Sequence, residues 1–276
     1  MDTSCDCGAV SRAIFLKQAV GEIIGTFLMC FFGIGAVATA TLYGAHTGPF
    51  QVGMIWGLAI AIAIYATRNL SAAHFNPAVT FAMCASGRCS WINFPLYVVA
   101  QFVGAILAGF VLWIFFADSV QAALSAASAT MEAKSAAYSI WCEVYPNTAK
   151  GVISTNVAAF AEGLGVFVLV MVIFCMTESC NLGRPSNDLF PLFIGLTVTC
   201  IIAVVGPMTD AGLNPARDMG PRVVAFLVGF KEAFSWDVLY VYALAPMIGG
   251  LLASLFFTKV IEPLHVTDKK NNSCNI

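Results

Sequence analysis

Ala-Gly-Leu-Asn-Pro-Ala-Arg-Asp at Ala211–Asp218 and its echo Ala-His-Phe-Asn-Pro-Ala-Val at Ala73–Val79 decide how this chain folds. A single Asn-Pro-Ala triplet says little, because Asn-Pro commonly opens a turn or a helix. Two copies, each closing a long apolar run, say more. Asn76 and Asn214 stand at N-cap positions, with Pro77 and Pro215 at the first helical position, where a missing N–H costs nothing. The apolar stretch behind each motif, to about residues 86 and 228, is ~10–14 residues long. That is ~15–21 Å against a hydrocarbon core ~30 Å thick, so neither crosses a bilayer alone. The pair reads as two half-helices that enter from opposite faces and meet, N-terminus to N-terminus, near the midplane.

The rest of the chain fits a membrane setting. Of its 276 residues, 59% are hydrophobic and 10% charged, with mean hydropathy +0.85. A soluble domain carries roughly 25% charged residues. A net charge of -2 and a pI near 5.9 speak against nucleic acid as a partner. Apolar runs at about 15–42, 51–68, 92–117, 157–177, 189–207 and 238–262 predict six spanning helices. The first is too long for a signal-peptide core and is read as mature structure. Six spans put both termini on one side. Eight of the 13 Lys and Arg residues fall on that side, so cytoplasmic termini are expected in a multi-pass protein of the cell (plasma or inner) membrane. The ten cysteines match neither a zinc spacing nor a disulfide framework, and no metal and no cofactor is expected. Modification of Cys5 or Cys7 stays open.

The chain repeats itself. Gly21-Glu22-Ile-Ile-Gly25-Thr-Phe27 matches Ala161-Glu162-Gly-Leu-Gly165-Val-Phe167, and the stretch from Ala100 through Gly104 to Ala108 matches that from Ala245 through Gly249 to Ala253. Each half holds three spans and one half-helix. Three is odd, so the second half runs inverted, and the path of a permeant is expected at the interface of the halves. The predicted fold is therefore an all-α membrane protein of six transmembrane helices and two re-entrant half-helices. Its expected parts are a cytoplasmic tail (1–13), a first repeat (14–118), an extracellular linker (119–154), a second, inverted repeat (155–264) and a cytoplasmic tail (265–276). The Ala/Ser-rich linker carries Glu132, Lys134, Glu143 and Tyr145-Pro146-Asn147 and is long enough to fold over a mouth.

Each capping Asn uses its side-chain oxygen on backbone N–H groups, which leaves its amide as a donor for a passing hydroxyl. Two helix N-termini add roughly +0.5 charge each at the centre, repelling cations and protons. The segments before the motifs cannot pair their carbonyls within a helix. Such backbone survives at membrane depth only inside protein or beside a wet cavity. Carbonyls of Ala72, Ala73, His74, Asp210, Gly212 and Leu213 are therefore expected to line a pore, with the His74 side chain bracing its loop. Glu22 and Glu162, symmetric carboxylates within spans, read as buttresses for those loops or as a proton relay. Gly25, Gly104, Gly165 and Gly249 suit close helix–helix approach. Arg217 costs roughly 2.5–3.5 kcal/mol near a bilayer and needs a reason to be there.

The doubled Asn-Pro-Ala (Asn76, Pro77, Ala78; Asn214, Pro215, Ala216), the Glu-x-x-Gly-x-Phe repeats and their spacing resemble the major intrinsic protein family, the aquaporins and glycerol facilitators, over about residues 15–262. The resemblance implies a homotetramer of passive channels working by a mechanism general to such pores. It implies that Arg217 sits at the outer constriction and that Trp56, Ile202 and Ala211 complete that ring. Trp56 lies 20 residues before Asn76, where glycerol facilitators carry this Trp. Asp218 after Arg217, then Gly220-Pro221-Arg222, and Tyr145-Pro146-Asn147 resemble the glycerol-conducting branch; Asp218 and Arg222 also read as a solvated charge pair. The chain departs from that branch at Ile202, where Gly is usual, and at Ala211, where Phe is usual. Asp210 replaces a usual Gly, and Tyr242 replaces a frequent Pro. The exchange at Ile202 and Ala211 resembles relatives passing metalloids, lactate or urea. The expected function is passive diffusion of glycerol, similar small neutral solutes and water. Narrower alternatives are water, urea, lactic acid or metalloid acids. A rival of another class, an ion-coupled transporter, requires carboxylates facing the path. An enzyme is not expected, since His46, His74 and His265 form no catalytic constellation in sequence.

Overall fold

A computed structural model describes residues 7–126, 137–143 and 153–269, with side chains over 12–126, 137–143 and 153–265. Among these residues the architecture is α1 (Cys7–Tyr43), α2 (Pro49–Thr67), α3 (Pro77–Ala85) and α4 (Phe94–Ala126). The second half follows the same order with α5 (Thr155–Thr177), α6 (Phe190–Thr209), α7 (Pro215–Leu227) and α8 (Trp236–His265), the last continuing helically to Lys269. Six of the eight are long and apolar enough to cross a membrane; α3 and α7, at 9 and 13 residues, are not. Two π turns, Tyr240–Leu244 and Phe257–Ile261, interrupt α8. The fold is an all-α, six-span membrane fold with two half-helices.

Helix extends beyond the expected boundaries. Helix α1 begins at Cys7, inside the stretch read as a tail, and α4 runs on to Ala126. The reason at α4 is local: Ser119–Ala126 holds no Gly or Pro and is rich in Ala, so nothing stops the helix.

The two halves are built alike. Helix α1 packs on α2 and α4 as α5 packs on α6 and α8, and α2 crosses α6 between the halves. Each half-helix lies mainly on the last span of the opposite repeat, α3 on α8 and α7 on α4. Glycines permit the close crossings. A Cβ on Gly57 or Gly195 would strike the other's carbonyl, so α2 and α6 meet backbone to backbone. Gly104 likewise abuts the Ile23 carbonyl, and Gly249 that of Gly163. With no hydrophobic drive between helices in lipid, such close approach supplies the packing energy. Large apolar side chains such as Val99, Phe115, Phe160 and Val204 face outward.

On the face that holds both termini, Arg88 follows α3 and ties three elements together. Its guanidinium pairs with Glu178 (3.2 Å) and Glu262 (3.5 Å) and lies over the rings of Phe174 and Phe257. Burial acts to raise the Glu178 carboxyl. The Cys180 N–H and Arg88 outweigh it and hold that carboxyl below its ordinary range.

Candidate functional site

The half-helices meet at their N-termini, and the two Asn residues make the joint. Asn76 Oδ1 accepts from the Ala78 N–H (2.8 Å), and Asn214 Oδ1 from those of Ala216 (3.0 Å) and Arg217 (3.2 Å). The amides reach across: Asn76 Nδ2 donates to the Leu213 carbonyl (3.0 Å) and Asn214 Nδ2 to that of Phe75 (2.7 Å). One N–H of each amide is thus used between repeats and one remains. The Leu213 carbonyl, expected free in the path, is engaged by Asn76. This cross-repeat bond was not visible in the spacing.

Both loops leading to the motifs are strained in the same pattern. Ala73 and Phe75 have φ of 54° and 50°, and their counterparts Ala211 and Leu213 have φ of 58° and 55°. Left-handed backbone at residues with a Cβ costs of order 1–3 kcal/mol each and persists only where the surroundings impose it. Here two buried carboxylates impose it. Glu22 accepts from the N–H groups of His74 (3.0 Å) and Phe75 (2.8 Å), from Ser71 Oγ (2.8 Å) and from Gln101 Nε2 (2.8 Å). Glu162 accepts from the N–H groups of Gly212 (2.9 Å) and Leu213 (2.6 Å) and from Thr209 Oγ1 (2.5 Å). Gly25 and Gly165 leave room for the side chains of Phe75 and Leu213, which a Cβ would strike.

With the N–H groups held from behind, carbonyls turn the other way. Those of Ala72, Ala73, His74, Ala211 and Gly212 accept no hydrogen bond from the described residues. All five residues line the central cavity. Asp210 does not line it. It ends α6 in a left-handed conformation (φ 61°) with its N–H on the Gly206 carbonyl, one residue short of the ladder. The Ala211 carbonyl, not anticipated, takes its place. His74 is braced, Nδ1 lying 3.2 Å from Thr80 Oγ1 and the ring 5.2 Å from that of Tyr97.

The cavity, about 630 Å³, runs from Arg68, Asn69, Arg184 and Asn187 near the face of the termini, past Asn76 and Asn214, to Trp56, Ile202, Ala211 and Arg217. Apolar side chains also line it, among them Ile60, Ile64, Leu169, Ile173, Ile194 and Val198. Glu22 and Glu162 do not line it. At the far end Trp56 is seated in the space that Gly33 leaves, and the Arg217 guanidinium lies 4.4 Å from the indole centroid.

One residue of this end is named in the sequence only as part of the linker, with no partner assigned to it. Glu143, from the segment between α4 and α5, places its carboxylate on Arg217, and both are almost fully buried. Its main chain is pinned from α7: the Glu143 N–H donates to Asp218 Oδ1 (3.0 Å), and Arg222 Nη2 donates to the Glu143 carbonyl. Asp218 and Arg222 pair at 2.6 Å and are buried, so they are not the solvated surface pair that their sequence also allowed. Burying two guanidiniums demands counter-charges. A buried Arg217 next to a linker holding two Glu residues was the signal available. Tyr145-Pro146-Asn147 lies outside the described residues.

A family model described as Major intrinsic protein matches residues 9–257. The chain belongs to the major intrinsic protein family. Among its curated relatives, the glycerol uptake facilitator protein of Haemophilus influenzae is 33% identical over 247 residues, covering 86% of this chain and 89% of that protein. Aquaporin-9 of Mus musculus is 30% identical over 258 residues, covering 92% and 85%. The X-ray structure of the aquaglyceroporin from Plasmodium falciparum superposes with a TM-score of 0.79 at 26% identity, covering 92% of this chain and 99% of that one. Within the major intrinsic protein family, then, this member joins its two half-helices through Asn76 and Asn214 and carries an Arg–Glu pair at one end of its cavity.

Proposed function

We propose that this protein is a passive channel for glycerol and similar small neutral solutes, and for water. The observation that carries the reading is the mixed lining of the cavity. Five carbonyls that accept no hydrogen bond from the described residues, and one amide hydrogen each of Asn76 and Asn214, share the cavity with a set of apolar side chains. A polyol presents hydroxyls along one edge and CH groups along the other, so it exchanges water for carbonyls on one side while its carbon backbone slides on Ile and Leu. Ions lose more than this path returns, and the paired helix N-termini repel cations. The small Ala211 leaves width beside Trp56, and relatives named glycerol uptake facilitator and aquaglyceroporin support this branch. An ion-coupled transporter needs carboxylates in the path, whereas Glu22 and Glu162 turn to backbone N–H groups behind it. Both termini face the cytoplasm in this proposal, the α4–α5 segment lies outside, and the outward apolar faces serve lipid and a homotetramer in the cell membrane.

Stopped-flow light scattering on proteoliposomes tests the solute class. Gradients of glycerol, urea, lactic acid at low pH and boric acid are compared with empty vesicles. The reading expects glycerol among the fastest solutes. Relaxation of glycerol no faster than in empty vesicles, with urea or boric acid accelerated, assigns the path to another neutral solute.

A further inference from the structure

Two helix N-termini at the centre of a pore explain the exclusion of cations but leave a physical problem. The same partial positive charges attract anions, and a bare guanidinium at the outer end would add a full positive charge to that attraction. The ion pair at this end answers it. Arg217 lies between the Trp56 indole and the Glu143 carboxylate, and among the described residues Glu143 is the acid it pairs with. Asp218, the adjacent acid, is committed to Arg222 and to the Glu143 N–H. Glu143 is not a loose side chain of a linker. Its N–H and carbonyl are both bonded to α7, and the neighbouring Trp141 is fully buried with its indole N–H on the Gly109 carbonyl (3.2 Å). The chain thus fixes the main chain at residue 143 and leaves the carboxylate for Arg217.

We infer that Glu143 is a specificity-determining residue of the constriction, whose carboxylate cancels the Arg217 charge so that small anions gain no attraction there. Glu143 is not among the residues lining the cavity, so it acts on a permeant through Arg217, which lines it with the apolar Trp56 and Ile202. This inference rests on the channel reading above. Cations are turned back by the helix ends, anions by the absence of net positive charge at the constriction.

The test uses the full chain in proteoliposomes, with glycerol flux and chloride, nitrate and formate flux measured in the same preparation. Glu143→Gln keeps size and one acceptor oxygen but removes the charge. The ratio of anion to glycerol permeability is expected to rise by about tenfold or more, a conservative figure for one uncompensated charge at contact distance. Arg217→Gln combined with Glu143→Gln restores neutrality and is expected to return the ratio toward that of the original protein. A merely structural Glu143 would change total flux without changing this ratio. The inference is overturned if Glu143→Gln conducts glycerol with an unaltered ratio, or if the double variant stays as anion-permeable as the single one. Should Glu143→Gln not fold, Glu143→Asp, which keeps the charge, must stay anion-tight; an anion leak in that variant overturns it equally. Absence of glycerol flux in the unaltered protein would instead defeat the channel reading.

Discussion

Ala211 shows how much one side chain is expected to decide in the proposed channel. It is buried, lines the cavity with Ile202, has a left-handed backbone, and its carbonyl accepts no hydrogen bond from the described residues. Replacing its methyl by a benzyl group, Ala211→Phe, fills the width next to Trp56. Glycerol permeability is expected to fall by about tenfold or more, with water reduced far less, because shape exclusion acts on the wider solute. Stopped-flow measurement of both rates on one preparation checks this. Arg217→Ala removes both a donor and the partner of Glu143. Breaking a buried pair costs roughly 3–5 kcal/mol in a dry interior, and less beside a wet cavity. Thermal stability in detergent should drop, and four-carbon polyols such as erythritol should enter. Unchanged exclusion of erythritol would remove Arg217 from the filter.

At the scale of elements, the two loops before the half-helices are held in strain by matched devices. Glu162→Gln would turn an amide toward at least one N–H of Gly212 or Leu213, leaving a buried donor unsatisfied at about 1–3 kcal/mol. The expected outcome is a lower unfolding temperature together with slower glycerol flux; a variant as stable and as conductive as the original would contradict the buttress. Gly25→Ala and Gly165→Ala should each destabilise by about 1–3 kcal/mol, since their Cβ atoms would collide with Phe75 and Leu213. Gly35→Ala is the control, its Cβ meeting only Leu112 at 3.6 Å. These elements were legible in the sequence to different degrees. Asn-Pro at each half-helix is a local signal, and Glu22 with Glu162 stood out as charges in apolar runs. Gly57 and Gly195 did not stand out, because glycine is common in membrane helices and nothing local marks a crossing. The carbonyl of Ala211 was missed for a similar reason: which residue of a loop turns left-handed depends on where the carboxylate behind it sits.

At the scale of the molecule, the cavity lies between the halves rather than in either. Each half-helix rests on the other repeat, each Asn amide bonds the other repeat's carbonyl, and α2 and α6 touch across the same seam. The inverted repeat was readable from the doubled motifs and the odd number of spans. The clasp of Glu143 on Arg217 was not, because a contact between a linker and a distant half-helix has no periodicity to betray it. The central claim is that this joint forms a passive path. It is tested most directly by the relaxation of a glycerol gradient in proteoliposomes, with and without an imposed pH gradient. The account predicts relaxation faster than in empty vesicles, unsaturated with concentration and indifferent to the pH gradient. Relaxation that requires the pH gradient, or that matches empty vesicles, would contradict it.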